Sequence, residues 1–433
     1  VTTTQIKPVK SLSGIISVPG DKSISHRYAI LGALAEGPTH IENFSPAADC
    51  ASTLACIERL GVVVEQKNNN VVVRGAGLRG LRAPRRKLDA ENSGTTMRLL
   101  TGVLSGQRFE SVITGDASLR RRPMRRVIEP LTQMGAQIAA RHGEFAPLEI
   151  RGAALHSIPF ALPIPSAQVK SAILLAGLCA EGETHVIESV RTRDHTELAL
   201  AEFGADVATI ERTVRLHGPA RLEGRSLRVP GDISSAAFLL GAALARPDSQ
   251  VVVRCVGLNP TRTAVLDFLA SMGAPIQLTE LSMRHGELVG DVSVRHAPLR
   301  GGVVRGEAVA QMIDELPLLA ALGPYTEEGI EIRDARELRV KESDRIAALA
   351  ENLRRMGAEV EEFDDGVRVA GRLAGALRGA EIDPRGDHRI AMALAVAALG
   401  ARGETLMRNA ECVQVSYPGF FEALRGLCGE NPR

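Results

Sequence analysis

Tryptophan is absent from this 433-residue chain, and only three tyrosines and ten phenylalanines are present. Proteins that bind single strands of nucleic acid usually offer aromatic stacking platforms. An aromatic content of 3% argues against that class. Charge imbalance is missing too. The 52 Lys and Arg residues nearly cancel 51 Asp and Glu, leaving a formal charge of +1. A general polyanion binder carries a larger basic excess. Local basic clusters at 120–126 and 79–87 remain, and the second is expected to be a solvated loop. The six cysteines (Cys50, Cys56, Cys179, Cys255, Cys412, Cys428) form no CxxC pair and no zinc spacing. They read as reduced, mostly buried thiols of a cytosolic protein. No apolar run reaches the ~18 residues of a membrane span, and no signal-peptide pattern opens the chain. A cytoplasmic location is therefore expected.

Lysine is scarce. Only Lys7, Lys10, Lys22, Lys67, Lys87, Lys170 and Lys341 stand against a background of arginine. A lysine kept inside a motif hints at a task that the fixed, permanently charged guanidinium performs badly, such as proton transfer. There is no GxxxxGK[ST] loop, which argues against a P-loop NTPase. A GxGxxG string at 75–80 follows the second strand of a hairpin pattern and opens no helix, so it carries no weight.

What the sequence does contain is a repeat. A helical pattern ending near glycine is followed by a strand, a turn and a second strand. It occurs at 54–73, 128–150, 198–216, 265–294 and 346–369, with Gly61, Gly135, Gly204, Gly273 and Gly357 after the helices. The period is about 70 residues, and a partial copy closes the chain at 420–429. Glycine in that place suits a left-handed cap. Alternation such as Val367-Arg368-Val369 predicts half-buried antiparallel hairpins. A second set of helices, rich in alanine and leucine, interleaves at 23–35, 94–104, 167–180, 234–245, 315–321 and 388–399. Being apolar nearly all round, these should be buried.

The units group as three plus three. Val18-Pro19-Gly20-Asp21 recurs as Val229-Pro230-Gly231-Asp232, three repeats later. The expectation is one domain at 20–231 and a discontinuous one at 1–19 plus 232–433, with hinges near 18–21 and 229–232. Two globules joined by two strands are expected to close over a ligand.

The apolar helices begin with unusual residues: Asp21-Lys22-Ser23, Asn92-Ser93-Gly94-Thr95, Ser166-Ala167-Gln168, Asp314-Glu315 and Asp387-His388-Arg389. Capping accounts for Ser93 and Asp387. It accounts poorly for Lys22, Gln168 and Arg389; the cations Lys22 and Arg389 would oppose the helix dipole unless an anion binds there. Arg27 falls one turn after Lys22 and Ser23. Lys341 and Arg345, four residues apart, are expected on one helical face. The inventory is Lys22, Arg27, Arg122, Lys341, Arg345 and Arg389, with Asp314 and Glu342 as carboxylates. It suits a small substrate bearing phosphate and carboxylate, gripped by arginine forks and served by lysine and carboxylate proton carriers. Neither a metal, a cofactor nor a covalent triad is called for.

In this order, the motifs resemble those of the EPSP synthase family of enolpyruvyl transferases. Gly20-Asp21-Lys22-Ser23-Ile24-Ser25-His26-Arg27 is similar to the first signature, and Asn92-Ser93-Gly94-Thr95-Thr96-Met97-Arg98-Leu99 to the second. Arg121-Arg122-Pro123-Met124, Ser166-Ala167-Gln168-Val169-Lys170, Thr192-Arg193-Asp194-His195-Thr196-Glu197, Met312-Ile313-Asp314-Glu315, Leu338 to Arg345 and Asp387 to Met392 continue it along nearly the whole chain. The resemblance implies an α/β (α+β) fold: a two-domain inside-out α/β barrel, each domain three βαβαββ repeats with buried helices. It implies transfer of enolpyruvyl from phosphoenolpyruvate to the 5-hydroxyl of shikimate 3-phosphate, with release of phosphate through a tetrahedral intermediate.

By the same resemblance, Ser23, Arg27, Ser166, Ala167, Gln168, Arg193 and Asp314 would hold shikimate 3-phosphate, with Lys341 in support. Lys22, Gly94, Arg122, Gln168, Arg345 and Arg389 would hold phosphoenolpyruvate, Lys22 touching both substrates. Asp314 would act on the attacking hydroxyl, and Lys22 and Glu342 on the phosphoenolpyruvate methylene. Glyphosate is expected to compete with phosphoenolpyruvate, because Gly94 leaves room for it. A monomer without nucleic-acid or membrane partners is expected. The sequence departs from the family pattern at Gln414-Val415-Ser416-Tyr417-Pro418, where some members carry lysine, at Leu99, where many have proline, and at Ala167, where many have serine.

Two other readings compete. The sister enzyme that transfers enolpyruvyl to UDP-N-acetylglucosamine has a Lys-Asn pair and a loop cysteine. Here Ser23 follows Lys22, and no cysteine lies between Cys56 and Cys179. A non-catalytic repeat scaffold that offers arginines to anionic ligands is the reading from another class.

Overall fold

The computed structural model describes residues 3–371 and 377–429. The chain divides into two compact units: Val1–Pro19 with Pro230–Ser282 and Leu288–Arg433, and Gly20–Val229 with Met283–Glu287. Pro230 and Gly231 thus fall with the first unit, and the turn of one hairpin clusters with the second. Each unit has its own core of buried aliphatic side chains.

The unit Gly20–Val229 holds three four-stranded sheets of one design. The first runs Ser226–Arg228, Glu36–Glu42, Asn70–Ala76, Val63–Lys67. The second runs Leu88–Asp89, Glu110–Thr114, Phe145–Arg151, Gln137–Arg141. The third runs Pro159–Ala161, Gly182–Ile187, Thr213–Gly218, Val207–Ile210. In each sheet the first two strands are parallel and the rest antiparallel. A parallel pair needs a crossover. The buried helices Gly94–Ser105 and Ala167–Gly177 supply it in the second and third sheets. The helix Lys22–Leu34 leads into the first, whose opening strand comes instead from Ser226–Arg228, two hundred residues on.

The other unit repeats the plan. Ser13–Ser17 pairs in parallel with Gln250–Gly257, followed by the hairpin of Glu287–Arg295 and Ile276–Arg284. Gly302–Val304, Ile330–Ile332, Gly366–Val369 and Val360–Phe363 form the next sheet. The last has three strands, with Thr3–Ile6 antiparallel to Thr405–Arg408 in the place a hairpin strand takes elsewhere. Its buried helices are Ile233–Leu244, Leu316–Leu322 and His388–Ala398. The architecture is therefore mixed α/β, with three separate sheets and three buried helices in each unit among the described residues.

Local chemistry explains the repeat. Gly61, Gly135, Gly204, Gly273 and Gly357 all have positive φ, between 86° and 109°, where a side chain would be strained. The hairpin turns carry consecutive left-handed residues, as at His142-Gly143 (52° and 74°) and His285-Gly286 (52° and 77°). Along Gly366–Val369, Val367 and Val369 are buried and Arg368 is exposed, as the alternation predicts. The helix Ile233–Leu244 is buried on every side. Apart from Ser234 and Ser235 at its start, both buried, it is made of apolar residues and glycine, which leaves no polar face to present to water.

Candidate active site

In the unit Gly20–Val229, Lys22, Ser23, Gly94, Ser166, Ala167 and Gln168 sit at the N-terminal ends of buried helices, Arg27 lies one turn in, Arg122 follows the 3-10 turn Leu119–Arg121, and Arg193 precedes the helix His195–Glu202. Asp21 caps the first, its carboxylate accepting from the Ile24 N–H at 2.9 Å. Lys22 opens that helix, and its Nζ donates to Asp49 Oδ2 at 2.8 Å. Both side chains are mostly buried, so the pair is only weakly screened. Asp49 has no motif of its own in the sequence and was not among the expected residues.

Arg27, one turn on, is buried. Its Nη1 donates to Ser23 O at 2.9 Å, its Nε to Thr196 Oγ1 at 2.6 Å and its Nη2 to Ser171 Oγ at 2.8 Å. Burial pushes its pKa down to about 10, against the pull of Glu197 and Asp21, so it stays cationic at neutral pH. Arg193 is close enough to Arg27 to be one of the charges that lower it.

The second helix starts at Gly94, with Ser93 as cap to the Thr96 N–H. A β-carbon placed on Gly94 would lie 3.4 Å from Arg122 Nη1 and 2.6 Å from Arg98 Nη1. Arg122 is buried, and its Nη2 donates to Asn92 Oδ1 at 2.9 Å. In the third helix Ser166 is the cap and Ala167 the first residue. Gln168 Nε2 donates to Thr95 Oγ1 at 2.8 Å and ties this helix to the second. The Gln168 Oε1 atom is buried without a hydrogen-bond partner among the described residues, which leaves an acceptor available to a ligand.

A buried polar chain underlies these helix starts. His26 Nδ1 meets Thr53 Oγ1 at 2.6 Å, Thr53 meets Thr96 at 2.6 Å, and Thr96 Oγ1 donates to Ser93 Oγ at 2.7 Å. Burial, with Lys22 and Arg27 nearby, pushes His26 well below its ordinary pKa, so the ring is neutral.

The other unit gathers a second cluster. Arg345 is 1% exposed, and its Nε donates to Asp387 Oδ2 at 2.8 Å. Its Nη2 meets Glu342 Oε2 at 2.5 Å, and its Nη1 lies 3.8 Å from Asp314 Oδ1. Burial works against this charge, but Asp387, Glu342 and Asp314 together raise its pKa above the ordinary value. Arg389 Nε lies 3.4 Å from Asp314 Oδ1, and its Nη1 donates to Asp314 O at 3.0 Å. Asp387 does two things: it caps the helix by accepting from the Arg389 N–H at 3.0 Å, and it clamps Arg345.

Lys341 departs from expectation. It does not share a helical face with Arg345. The segment Arg336–Val340 is a short 3-10 helix that ends before it, and the next helix begins only at Arg345, capped by Asp344. A spacing of four implies one face only inside a continuous helix. Lys341 Nζ instead meets Glu337 Oε1 at 3.3 Å.

The basic stretch 79–87 is exposed at Arg79, Arg82, Arg85, Arg86 and Lys87. A cavity of about 700 Å3 lies beside it, lined by Arg85, Lys87, Gln137, Ile138 and Glu149 among others, and contains none of the predicted residues. Among the described residues, no helix is long and apolar enough to cross a membrane.

Two chemically coherent clusters thus stand at helix starts. One is rich in cations and hydrogen-bond donors. The other alternates arginine with carboxylate. Comparison with known proteins identifies the family. The family model for EPSP synthase (3-phosphoshikimate 1-carboxyvinyltransferase) matches residues 6–424. The 3-phosphoshikimate 1-carboxyvinyltransferase of Solibacter usitatus (strain Ellin6076) is 53% identical over 98% of this chain and 99% of its own. That of Pelotomaculum thermopropionicum is 54% identical over 96% of each chain. A solved EPSP synthase structure from Acinetobacter baumannii is 42% identical, covers 99% of this chain and 98% of its own, and superposes with a TM-score of 0.88. The chain belongs to the EPSP synthase family, the 3-phosphoshikimate 1-carboxyvinyltransferases, and transfers the enolpyruvyl group of phosphoenolpyruvate to shikimate 3-phosphate in the shikimate pathway.

Proposed function

We propose that the transfer is carried by residues of both clusters. Ser23, Arg27, Ser166, the Ala167 backbone, Gln168, Arg193 and Asp314 hold shikimate 3-phosphate, with Lys22 and Lys341 in support. Lys22, Gly94, Arg122, Gln168, Arg345 and Arg389 hold phosphoenolpyruvate. The observation that carries this reading is the packing of Arg345, Arg389, Asp314 and Glu342 into one network, with salt-bridge distances from 2.5 to 3.8 Å. Buried arginines fixed in this way grip carboxylate and phosphate without having to be ordered on binding.

The chemistry follows from the groups present. Asp314 takes the proton of the 5-hydroxyl as its oxygen bonds to C2 of phosphoenolpyruvate. A proton passes to C3 from Lys22 or Glu342, giving the tetrahedral intermediate. Removal of a proton from C3 then restores the double bond as the C2–O bond to phosphate breaks. Arginines around the leaving phosphate stabilise the charge it collects. No disulfide joins the six thiols among the described residues, which fits the reducing cytosol, but they are not mostly buried as expected: Cys50 and Cys56 are buried, Cys179, Cys412 and Cys428 are half-buried and Cys255 is exposed.

Glyphosate competes with phosphoenolpyruvate in this reading. A methyl group on Gly94 would point at the Arg122 and Arg98 guanidinium groups. Gly94→Ala should therefore weaken glyphosate inhibition by on the order of tenfold or more. Equal inhibition of both proteins would remove the steric argument.

The deciding experiment is phosphate release from phosphoenolpyruvate with shikimate 3-phosphate or UDP-N-acetylglucosamine as acceptor. Lys22→Ala and Asp314→Ala serve as controls. Release with shikimate 3-phosphate alone, lost in both variants, is expected. Full activity in either variant would overturn its assigned role.

A further inference from the structure

Lys170 is a buried cation to which no role has been assigned above. Its side chain is 0% exposed, inside the helix Ala167–Gly177, two residues after Gln168. Its Nζ meets Glu197 Oε1 at 2.6 Å, Glu188 Oε2 at 2.9 Å and Thr192 O at 3.5 Å. An ammonium has three donors, and here three acceptors surround it. The two carboxylates are 3% and 7% exposed. Glu188 Oε1 in turn accepts from the Thr192 N–H at 3.1 Å and the Thr192 hydroxyl at 2.5 Å. A single ammonium thus binds both ends of segment 188–197 to one helix.

That segment carries Arg193 and Thr196, and Thr196 Oγ1 is the acceptor for Arg27 Nε at 2.6 Å. The helix it is bound to carries Ser171, the acceptor for Arg27 Nη2. Buried ion pairs contribute little net stability, since desolvation offsets most of their attraction, and apolar replacements are often neutral. What such a cluster supplies here is position. The three-way geometry also explains why lysine stands at 170 in an arginine-rich chain, because a planar fork cannot direct three donors around one centre.

We propose that Lys170, with Glu188 and Glu197, is a positioning device for the acceptor substrate: it holds segment 188–197 against the helix Ala167–Gly177 and so sets where Arg27 and Arg193 stand. This rests on the reading that Arg27 and Arg193 bind shikimate 3-phosphate. The charge balance agrees with it. Among the groups that oppose the effect of burial on Arg27, Glu197 comes first.

The test is steady-state kinetics with each substrate varied, on Lys170→Met, Glu197→Gln and Arg193→Ala, alongside urea unfolding. Lys170→Met should raise KM for shikimate 3-phosphate at least tenfold and change KM for phosphoenolpyruvate less than threefold. Glu197→Gln keeps the shape and leaves a neutral Lys170–Glu188 pair. It should raise the same KM three- to tenfold, and it decides the matter if Lys170→Met does not fold. A cluster that only stabilises would lower the unfolding midpoint and leave both KM values at wild type, which overturns the proposal, as does an equal rise in both. Arg193→Ala separates the two layers. If it leaves KM for shikimate 3-phosphate unchanged, the acceptor-site reading fails. If it raises that KM while the Lys170 and Glu197 variants do not, the positioning inference alone fails.

Discussion

Gly102→Ala is a sharp test of how packing supports the site. The helices Gly94–Ser105 and Ala167–Gly177 cross with almost no room between backbones. A β-carbon on Gly102 would stand 2.2 Å from the Ala172 carbonyl oxygen and 2.9 Å from its carbonyl carbon and Cα. That is about 1.2 Å short of the 3.4 Å where ordinary contact begins. Every atom in the way is backbone, so no rotamer change relieves the clash, and the helices must part. Overpacking usually costs about 1–3 kcal/mol, and a backbone collision belongs at the upper end, near 3 kcal/mol. The Thr95–Gln168 hydrogen bond links the N-terminal ends of the same helices at 2.8 Å. Separating them by on the order of 1 Å takes it beyond hydrogen-bond length, so kcat/KM should fall together with stability. Urea unfolding followed by circular dichroism measures the first effect, since there is no tryptophan to report by fluorescence. Gly426→Ala is the control of opposite sign. It lies in the helix Phe420–Leu427 with nothing within 4 Å of an added methyl, and should gain about 0.5–1 kcal/mol. If Gly102→Ala lost less than about 0.5 kcal/mol, the close crossing would not constrain the fold and the argument would fail.

Three further predictions follow from buried groups. Arg345→Met leaves Asp387 and Glu342 without their cation and should cost about 3–5 kcal/mol, with activity lost; adding Asp387→Asn should restore part of the stability and none of the activity, and a single-variant loss below about 1 kcal/mol would refute the network's role. Burial holds the His26 pKa well below 6.5, so the unfolded chain takes up a proton there that the folded one does not. Stability should therefore be full above about pH 6.5 and fall as pH drops, by up to ~1.4 kcal/mol per pH unit from this group, and His26→Asn should flatten that slope; an unchanged slope would count against a neutral buried ring. Cys255 is exposed, while Cys50 and Cys56 are buried with thiol pKa values pushed up by burial, Cys56 to about 12. A thiol reagent should label Cys255 first in the native protein, and fast labelling of Cys50 would contradict its placement in the core.

The sequence alone determined the features that depend on short stretches of chain. Glycine after each outer helix, two-residue hairpin turns and apolar helices all follow from residues a few positions apart, and they repeat often enough to reveal six similar units. Charged residues at the starts of apolar helices were legible for the same reason, because Lys22 and Arg389 are poor choices for a helix start that binds nothing. What the tertiary structure decided are pairings between residues far apart along the chain. Asp49 meets Lys22 across 27 positions, and Thr196 meets Arg27 across 169. Neither residue carries a local sign of its partner. Lys170 drew notice as a rare lysine, but only the fold could surround it with Glu188, Glu197 and Thr192. Lys341 shows the converse: its four-residue spacing from Arg345 predicts one helical face, and the break after Val340 lies outside anything that periodicity encodes. Two strands make the same point for topology. Ser226–Arg228 and Ser13–Ser17 each complete a sheet whose other strands lie far away in the chain, because an exposed edge binds whichever strand the three-dimensional path delivers to it.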